Sequence, residues 1–192
     1  MAGNANSVNI EKKPYHHGDL RAALISEGLA MLAESATADS LSLRELARRV
    51  GVSAPSVYRH FPDKEALMNA LAQEGLKQLA RSQHAAAEAA GGGKDGFAAT
   101  GRAYVRFALA NPALYRLIFT SPLIAAYRAS TQDQGEAFNF LLANAGEAVG
   151  ADPQSQTALV AAVEAWALVH GVAMLMLDGQ IPTDETLIDA IC

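Results

Sequence analysis

The sequence predicts an all-α fold of about nine helices, and three observations carry that expectation. Apolar residues recur at helical spacing along most of the chain. No alternating strand run, and no Asn-Gly or Asp-Gly turn between apolar strands, interrupts the pattern. The helical stretches are punctuated by Ser or Asp cap residues and by Gly or Pro stops. The chain has 192 residues, 51% of them apolar and 18% charged, enough to bury a core in one domain or two small ones. No internal repeat is visible.

The elements follow in order. Residues 1–13 are polar and predict a disordered tail, in which Lys12 and Lys13 read as a solvated stretch able to touch DNA. Asp19 can cap a first helix whose Leu20, Leu24, Gly28, Met31 and Leu32 share a face. Ser42-Leu43-Arg44-Glu45 has the spacing of a reciprocal capping box. The short helix it opens carries Leu43, Leu46, Ala47 and Val50 inward and stops at Gly51. Ser53 can cap the next helix, with Pro55 harmless in its first turn and Val57 and Phe61 as its core residues. Pro62 breaks the chain, and Asp63 caps a longer helix through Leu67, Leu71, Leu76 and Leu79.

The run Gly91–Lys94 marks a loop. From Asp95 to Ala110 an amphipathic helix places Phe97, Gly101, Tyr104 and Ala108 on one face and Arg102 and Arg106 on the other. Asn111-Pro112 ends it and starts a short helix. Ser121-Pro122 opens a further helical region, bent near "ASTQDQG" and ending at Gly150. Asp152-Pro153 starts a long apolar helix that Gly179 ends, and residues 183–191 form a short last helix.

Leu159–Leu177 is long enough to span a bilayer, but Glu164 lies well inside it, where a charge is costly in lipid. The expectation is a helix of a soluble protein, apolar all round and therefore buried all round. The N-terminus has no apolar signal-peptide core, and the single cysteine, Cys192, excludes an internal disulfide. Both features point to the cytoplasm.

Charge is unevenly spread. The net charge is -5, yet residues 1–64 hold 8 Lys/Arg against 7 Asp/Glu, while residues 65–192 hold 7 against 13. The N-terminal third is thus slightly basic, and its basic residues concentrate between Ser42 and Lys64. Two short helices joined through a Gly turn in that island are the sequence image of a helix-turn-helix, or alternatively of a plain helical corner with solvated charges.

The stretch "SLRELARRVGVSAPSVYRHFPDKEALMNAL", with its "YHHGDLR" lead-in, strongly resembles the DNA-binding domain of the TetR family of transcriptional regulators. The resemblance implies a DNA-binding domain over residues 14–64 and a ligand-binding and dimerisation domain over residues 65–192. It implies a homodimer that sets two recognition helices in successive major grooves of an operator. Carried over by position, Ser42 and Arg44 are backbone and groove contacts. Ser53 opens the recognition helix, and Ala54, Pro55 and Ser56 form its base-reading tip. Tyr58, His60 and Lys64 are phosphate contacts, with Arg59 facing the DNA. Ala54 cannot hydrogen-bond a base edge, so direct readout falls to Arg44, Ser56 and methyl contacts.

"W-x-x-x-H-G" at Trp166, His170 and Gly171 is similar to a Trp-His-Gly signature found in the C-terminal domains of some of these regulators. Helical geometry puts Leu159, Val163, Trp166, His170, Met174 and Leu177 on one face and Leu168, Val172 and Leu175 towards the other, one face lining the domain core or pocket and the other packing against the partner subunit. Tyr104, Phe107, Tyr115, Phe119, Trp166, His170 and Met174 are the candidates for an effector pocket, each also readable as ordinary core. The helices at 153–178 and 183–191 are the expected dimer interface. The effector is an unidentified small apolar or aromatic molecule.

No catalytic motif, metal-ligand spacing or cofactor fingerprint is present. His16 and His17 are adjacent, so their rings do not converge on a metal as an i, i+4 pair would. A helical enzyme using His170, Glu164 or His16, or an interaction module without DNA binding, are the alternatives left by the residues alone.

Overall fold

The computed structural model describes residues 20–35, 40–120 and 135–192, with only the backbone of 135–137. Among these residues it holds nine helices and no strand, in agreement with the expected fold class. They are α1 (Leu20–Ala33), α2 (Leu43–Val50), α3 (Ala54–Tyr58), α4 (Lys64–Ala89), α5 (Gly93–Ala110), α6 (Pro112–Thr120), α7 (Gly135–Val149), α8 (Gln156–Leu177) and α9 (Glu185–Ile191). The expectations for residues 1–19 (the tail with Lys12 and Lys13, the His16-His17 pair, the Asp19 cap) and for the helical region from Ser121 through "ASTQDQG" lie outside the described residues.

The N-terminal helices close on Leu24, Leu46, Val57, Phe61 and Leu67, all within 1% of full burial. The turn between α2 and α3 is set by Gly51, whose φ of 77° is strained for any residue with a Cβ. There the N–H of Val52 donates back to the Ala47 carbonyl at 3.0 Å, closing the C-terminus of α2.

The expected capping box at Ser42 does not form. Ser42 has the extended N-cap backbone but makes no side-chain cap bond. Glu45 instead accepts from Arg48 Nε at 2.8 Å and from Arg49 Nε at 3.2 Å. Bonds between two charged groups outweigh a neutral amide donor, which decides the direction of the carboxylate. Ser53 also caps by backbone position alone, its hydroxyl lying 2.8 Å from that of Ser56. Asp63 behaves as expected, accepting from the Ala66 N–H at 2.7 Å to start α4.

α4 runs for 26 residues and links the two halves of the molecule. Its first turns pack on α1, where a Cβ at Gly28 would sit 3.0 Å from Leu71. One turn later it crosses α6 closely. A Cβ at Gly75 would sit 2.8 Å from both Leu114 and Ile118. α5 then returns antiparallel to α4, with Gly96 seated against the Ala87 backbone.

α8 begins later than expected, at Gln156 rather than at Asp152-Pro153. Its cap is Ser155, which accepts from the Ala158 N–H at 3.1 Å, while Asp152 is used in the preceding turn. α8 packs against α5 and α7, but it is not buried all round. Ala158, Ala162, Val169, Val172, Ala173 and Met176 face the core. Leu159, Val160, Val163, Leu168 and Leu175 remain between 39% and 49% exposed. An apolar helix must bury its sides, but composition does not say whether the cover comes from the same chain. α8 is also long and apolar enough to cross a membrane by length and composition. α9, capped by Asp184, is tied to α5 through Arg106, which bonds Glu185 at 2.7 Å and Asp189 at 3.0 Å.

Candidate nucleic-acid interface and cavity

The surface around α3 collects most of the sequence-predicted contact residues. Val57 is fully buried, and its helical neighbours therefore point outward. Ser42, Arg44, Ser53, Pro55, Tyr58, Arg59 and His60 are exposed, while Ala54, Ser56 and Lys64 are half-buried. Tyr58 is 43% exposed, unusual for a large aromatic side chain. Arg59 reaches back to the Ser56 hydroxyl at 3.3 Å, which holds it over the tip of α3. Below, the Arg21 guanidinium lies 5.4 Å from the Phe61 ring centroid and braces α1 against the end of this unit.

The three arginines of α2 have different employment. Arg48 is bonded to Glu45. Arg49 bridges Glu34 at 2.7 Å, Glu45 at 3.2 Å and Glu27 at 3.4 Å, binding α2 to α1 and to the chain after it. Arg44 has no ion pair among the described residues. The local basic excess counted from sequence is therefore partly spent inside the fold, by Arg48 and Arg49. Glu27 and Glu34 were not singled out by sequence, since helical position alone does not show which carboxylates meet across helices.

The two-arginine clasp leaves a titration signature. Its hydrogen bonds, first with Arg48, hold the Glu45 carboxyl down at about 2 from an ordinary 4.5. A depressed carboxylate stabilises the fold fully above about 4.5, and that contribution is lost as pH falls towards about 2. Carboxyl NMR should show Glu45 titrating near 2, and in Arg48→Ala it should return towards the ordinary value. Titration of the native residue at 4.5 would remove the clasp.

A cavity of about 880 Å³ lies among α4, α5, α6, α7, α8 and the C-terminus. Of the seven pocket candidates, Tyr104, Phe119 and Trp166 line it. Phe107, Tyr115, His170 and Met174 do not. Phe107 and Tyr115 are buried in helix packing, and His170 and Met174 are half-buried beside the core. Tyr115 and His170 instead support the wall. The Tyr115 and Tyr104 hydroxyls lie 2.7 and 2.9 Å from His170 Nδ1. Tyr115 also reaches Tyr104 at 3.2 Å, and Trp166 Nε1 donates to Tyr104 at 3.3 Å. Phe119 packs on this cluster, 4.9 Å from both the Tyr115 and His170 rings. Burial pushes the Tyr115 phenol well above the ordinary range, with Tyr104 adding to the shift, so it serves as a neutral hydrogen-bonding group.

Tyr115→Phe should therefore cost about 1 kcal/mol in denaturant unfolding. Tyr115→Ala should cost about 3–5 kcal/mol by opening a void. Equal stability of all three proteins would show that the cluster carries no weight.

Sequence reasoning missed much of the cavity wall, including Gln73, Leu76, Lys77, Gln83, Phe97, Phe138, Val169 and Cys192. The spacing of Gln73, Leu76, Lys77, Ala80 and Gln83 along one face of α4 was a usable signal, but Gln and Lys on that face read as solvent. Burial raises the Cys192 thiol above its ordinary value, consistent with a packing role.

The arrangement so far is a helix-turn-helix joined by one continuous helix to a domain with a cavity. Residues 25–71 match the family model described as bacterial regulatory proteins, tetR family. Residues 97–191 match one described as tetracyclin repressor-like, C-terminal domain. The chain belongs to the TetR family. Among solved structures, one match is a protein with unknown function from Rhodococcus sp. RHA1, at 31% identity, covering 94% of this chain and 93% of that one, with a TM-score of 0.73. The putative regulatory protein SCO4313 matches at 27% identity over 92% of this chain and 96% of its own, with a TM-score of 0.66. TetR from Acinetobacter baumannii AYE shares the fold at 21% identity, covering 88% of this chain and 83% of its own, with a TM-score of 0.61. No curated protein matches the sequence. As a TetR-family member, the chain is a transcriptional regulator with a DNA-binding N-terminal part and a separate C-terminal domain.

Proposed function

We propose that this TetR-family protein is a cytoplasmic homodimeric repressor, released from a pseudo-palindromic operator by a small apolar or aromatic effector. In this reading residues 14–64 bind DNA, and residues 65–192 hold the effector and the dimer contact. Ser42, Arg44 and the tip from Ser53 to Ser56 enter the groove, while Tyr58, Arg59, His60 and Lys64 hold the backbone. α8 and α9 meet their copies across the two-fold axis. The protein is a regulator and not an enzyme.

The observation that carries the reading is the shared use of α4. The helix that begins at Lys64, beside α3, also supplies Gln73 to Gln83 to the cavity wall. A ligand that shifts that wall moves the start of the same helix. Operator half-sites lie about 34–36 Å apart, or a multiple of it, so a change in helix separation breaks register. A coupling of about 1–3 kcal/mol gives a 5–150-fold change in affinity.

The test is selection of genomic fragments by the purified protein, followed by release with a panel of small molecules. A recovered sequence with two-fold symmetry, released by at least one compound, supports the reading. Absence of any duplex preferred over random DNA rejects it.

A further inference from the structure

The cavity is long, and its charge is lopsided. On α4 its wall runs from Gln73 to Gln83, and on α5 from Lys94 to Tyr104, each about 15 Å of helix. The two helices are antiparallel, and Gln83 Nε2 lies 3.4 Å from the Thr100 carbonyl. The Gln73–Lys77 end of the trough is therefore the Tyr104 end, and Lys94 marks the opposite end. The body between them is apolar and aromatic, with Phe97, Phe138 and Trp166 among its walls.

No Asp or Glu side chain lines this cavity among the described residues, although the whole chain carries a net charge of -5. Lys77 forms no ion pair among the described residues. The acid one turn before it, Glu74, is held by Arg81 at 2.8 Å. At the Lys94 end a carboxylate comes close, since Glu147 reaches to 3.8 Å from where a Cβ on the preceding residue, Gly93, would lie. Among the described residues, one end of an apolar trough thus presents an ammonium without a paired carboxylate, with Gln73 one turn before it on the same lining face, and the other end has a carboxylate close by.

Granted that the cavity is the effector site proposed above, we infer that its ligand is an elongated organic monoanion: a carboxylate on an apolar body about 15 Å long. The carboxylate sits at Lys77 and Gln73, and the body lies along the aromatic wall towards Lys94. A cation of the same shape meets Lys77 as a like charge. A neutral analogue loses the charge-assisted bond and keeps the apolar contact.

Trp166 is the only tryptophan and lines the cavity, so its emission reports binding without DNA. The probes are dodecanoate, dodecanol and dodecyltrimethylammonium, each below its aggregation concentration. Dodecanoate should give a saturable change and bind about fivefold more tightly than dodecanol, the gain of a partly exposed ion pair, with the ammonium weakest. Lys77→Glu should abolish the preference for dodecanoate and leave dodecanol binding within about twofold, while Lys94→Gln should keep the preference. Equal or tighter binding of the alcohol or the ammonium overturns the inference. So does a preference that survives in Lys77→Glu, or the absence of a saturable response to all three probes. Operator release is measured separately. Dodecanoate binding without release leaves the ligand class standing and removes the effector role. Release by an unrelated compound, with no dodecanoate binding, removes the ligand class and leaves the regulator.

Discussion

The Tyr58→Ala/Lys64→Ala protein binds every DNA duplex about 100-fold more weakly than the native chain, with little change in the order of preferred sequences. The magnitude follows from four lost contacts in a dimer at about 0.7 kcal/mol each. The salt dependence is the sharper reading. Each lysine that neutralises a phosphate contributes about 0.9 to the slope of log affinity against log salt. Two copies of Lys64 should therefore flatten the slope by about 1.8. Ser56→Ala and Arg44→Ala should act differently, changing which bases are preferred. A competition assay at several salt concentrations separates the two outcomes. An unchanged slope in the double variant would remove Lys64 from the phosphate contacts.

Val163→Arg converts the protein to a monomer at micromolar concentration. Val163 lies at 47% exposure in the middle of the apolar strip on α8. Gly171, two turns on, has open space where a Cβ would go, so a second helix can approach closely there. A two-fold interface places the same strip on both sides, and one substitution buries two like charges. At several kcal/mol for an unpaired buried charge, dimerisation weakens by more than about 100-fold. The site is exposed in the single chain, so helix content by circular dichroism should not change. Sedimentation measures the outcome, and a dimer of native affinity would mean that another surface joins the subunits. Loss of the dimer should carry operator affinity down with it, since one recognition helix then binds alone.

The parts of this molecule set by nearby residues were legible in the sequence. Gly51 and Asp63 each act within four residues of their own position, and their geometry is what those residue types require. Val57 follows from the inward face of α3, and Phe61, three residues past its end, keeps helical spacing through its N–H to the Val57 carbonyl. The Ser42–Glu45 box misled because Glu45 has two cationic neighbours, and local spacing does not rank competing partners. Tyr115 and His170 were read as pocket residues, whereas they stand behind Tyr104. Aromatic composition marks a region and not which ring reaches its surface. On α8 helical spacing predicts a core face and a partner face, but the single chain buries Val172 of one set and leaves Leu159 and Val163 of the other exposed, because hydrophobicity carries no record of which chain supplies the cover. Lys77 was invisible as a cavity residue, since a lysine's reach depends on which helix lies opposite.

The Gly75 crossing also fixes the gearing of the molecule. α4 passes α6 there with no side chain of its own, its backbone resting on the Leu114 and Ile118 side chains. Lys64 lies eleven residues before that point, about 16 Å, and Gln83 eight residues after it, about 12 Å. A tilt of α4 about the crossing is a lever of ratio about 1.4, so 1 Å of wall displacement becomes about 1.4 Å at Lys64. With two copies moving oppositely, the separation changes by about 2.8 Å, close to the rise of one base pair. Widening the crossing with a larger residue at position 75 shifts the fulcrum, and with it how far the DNA end travels for a given ligand.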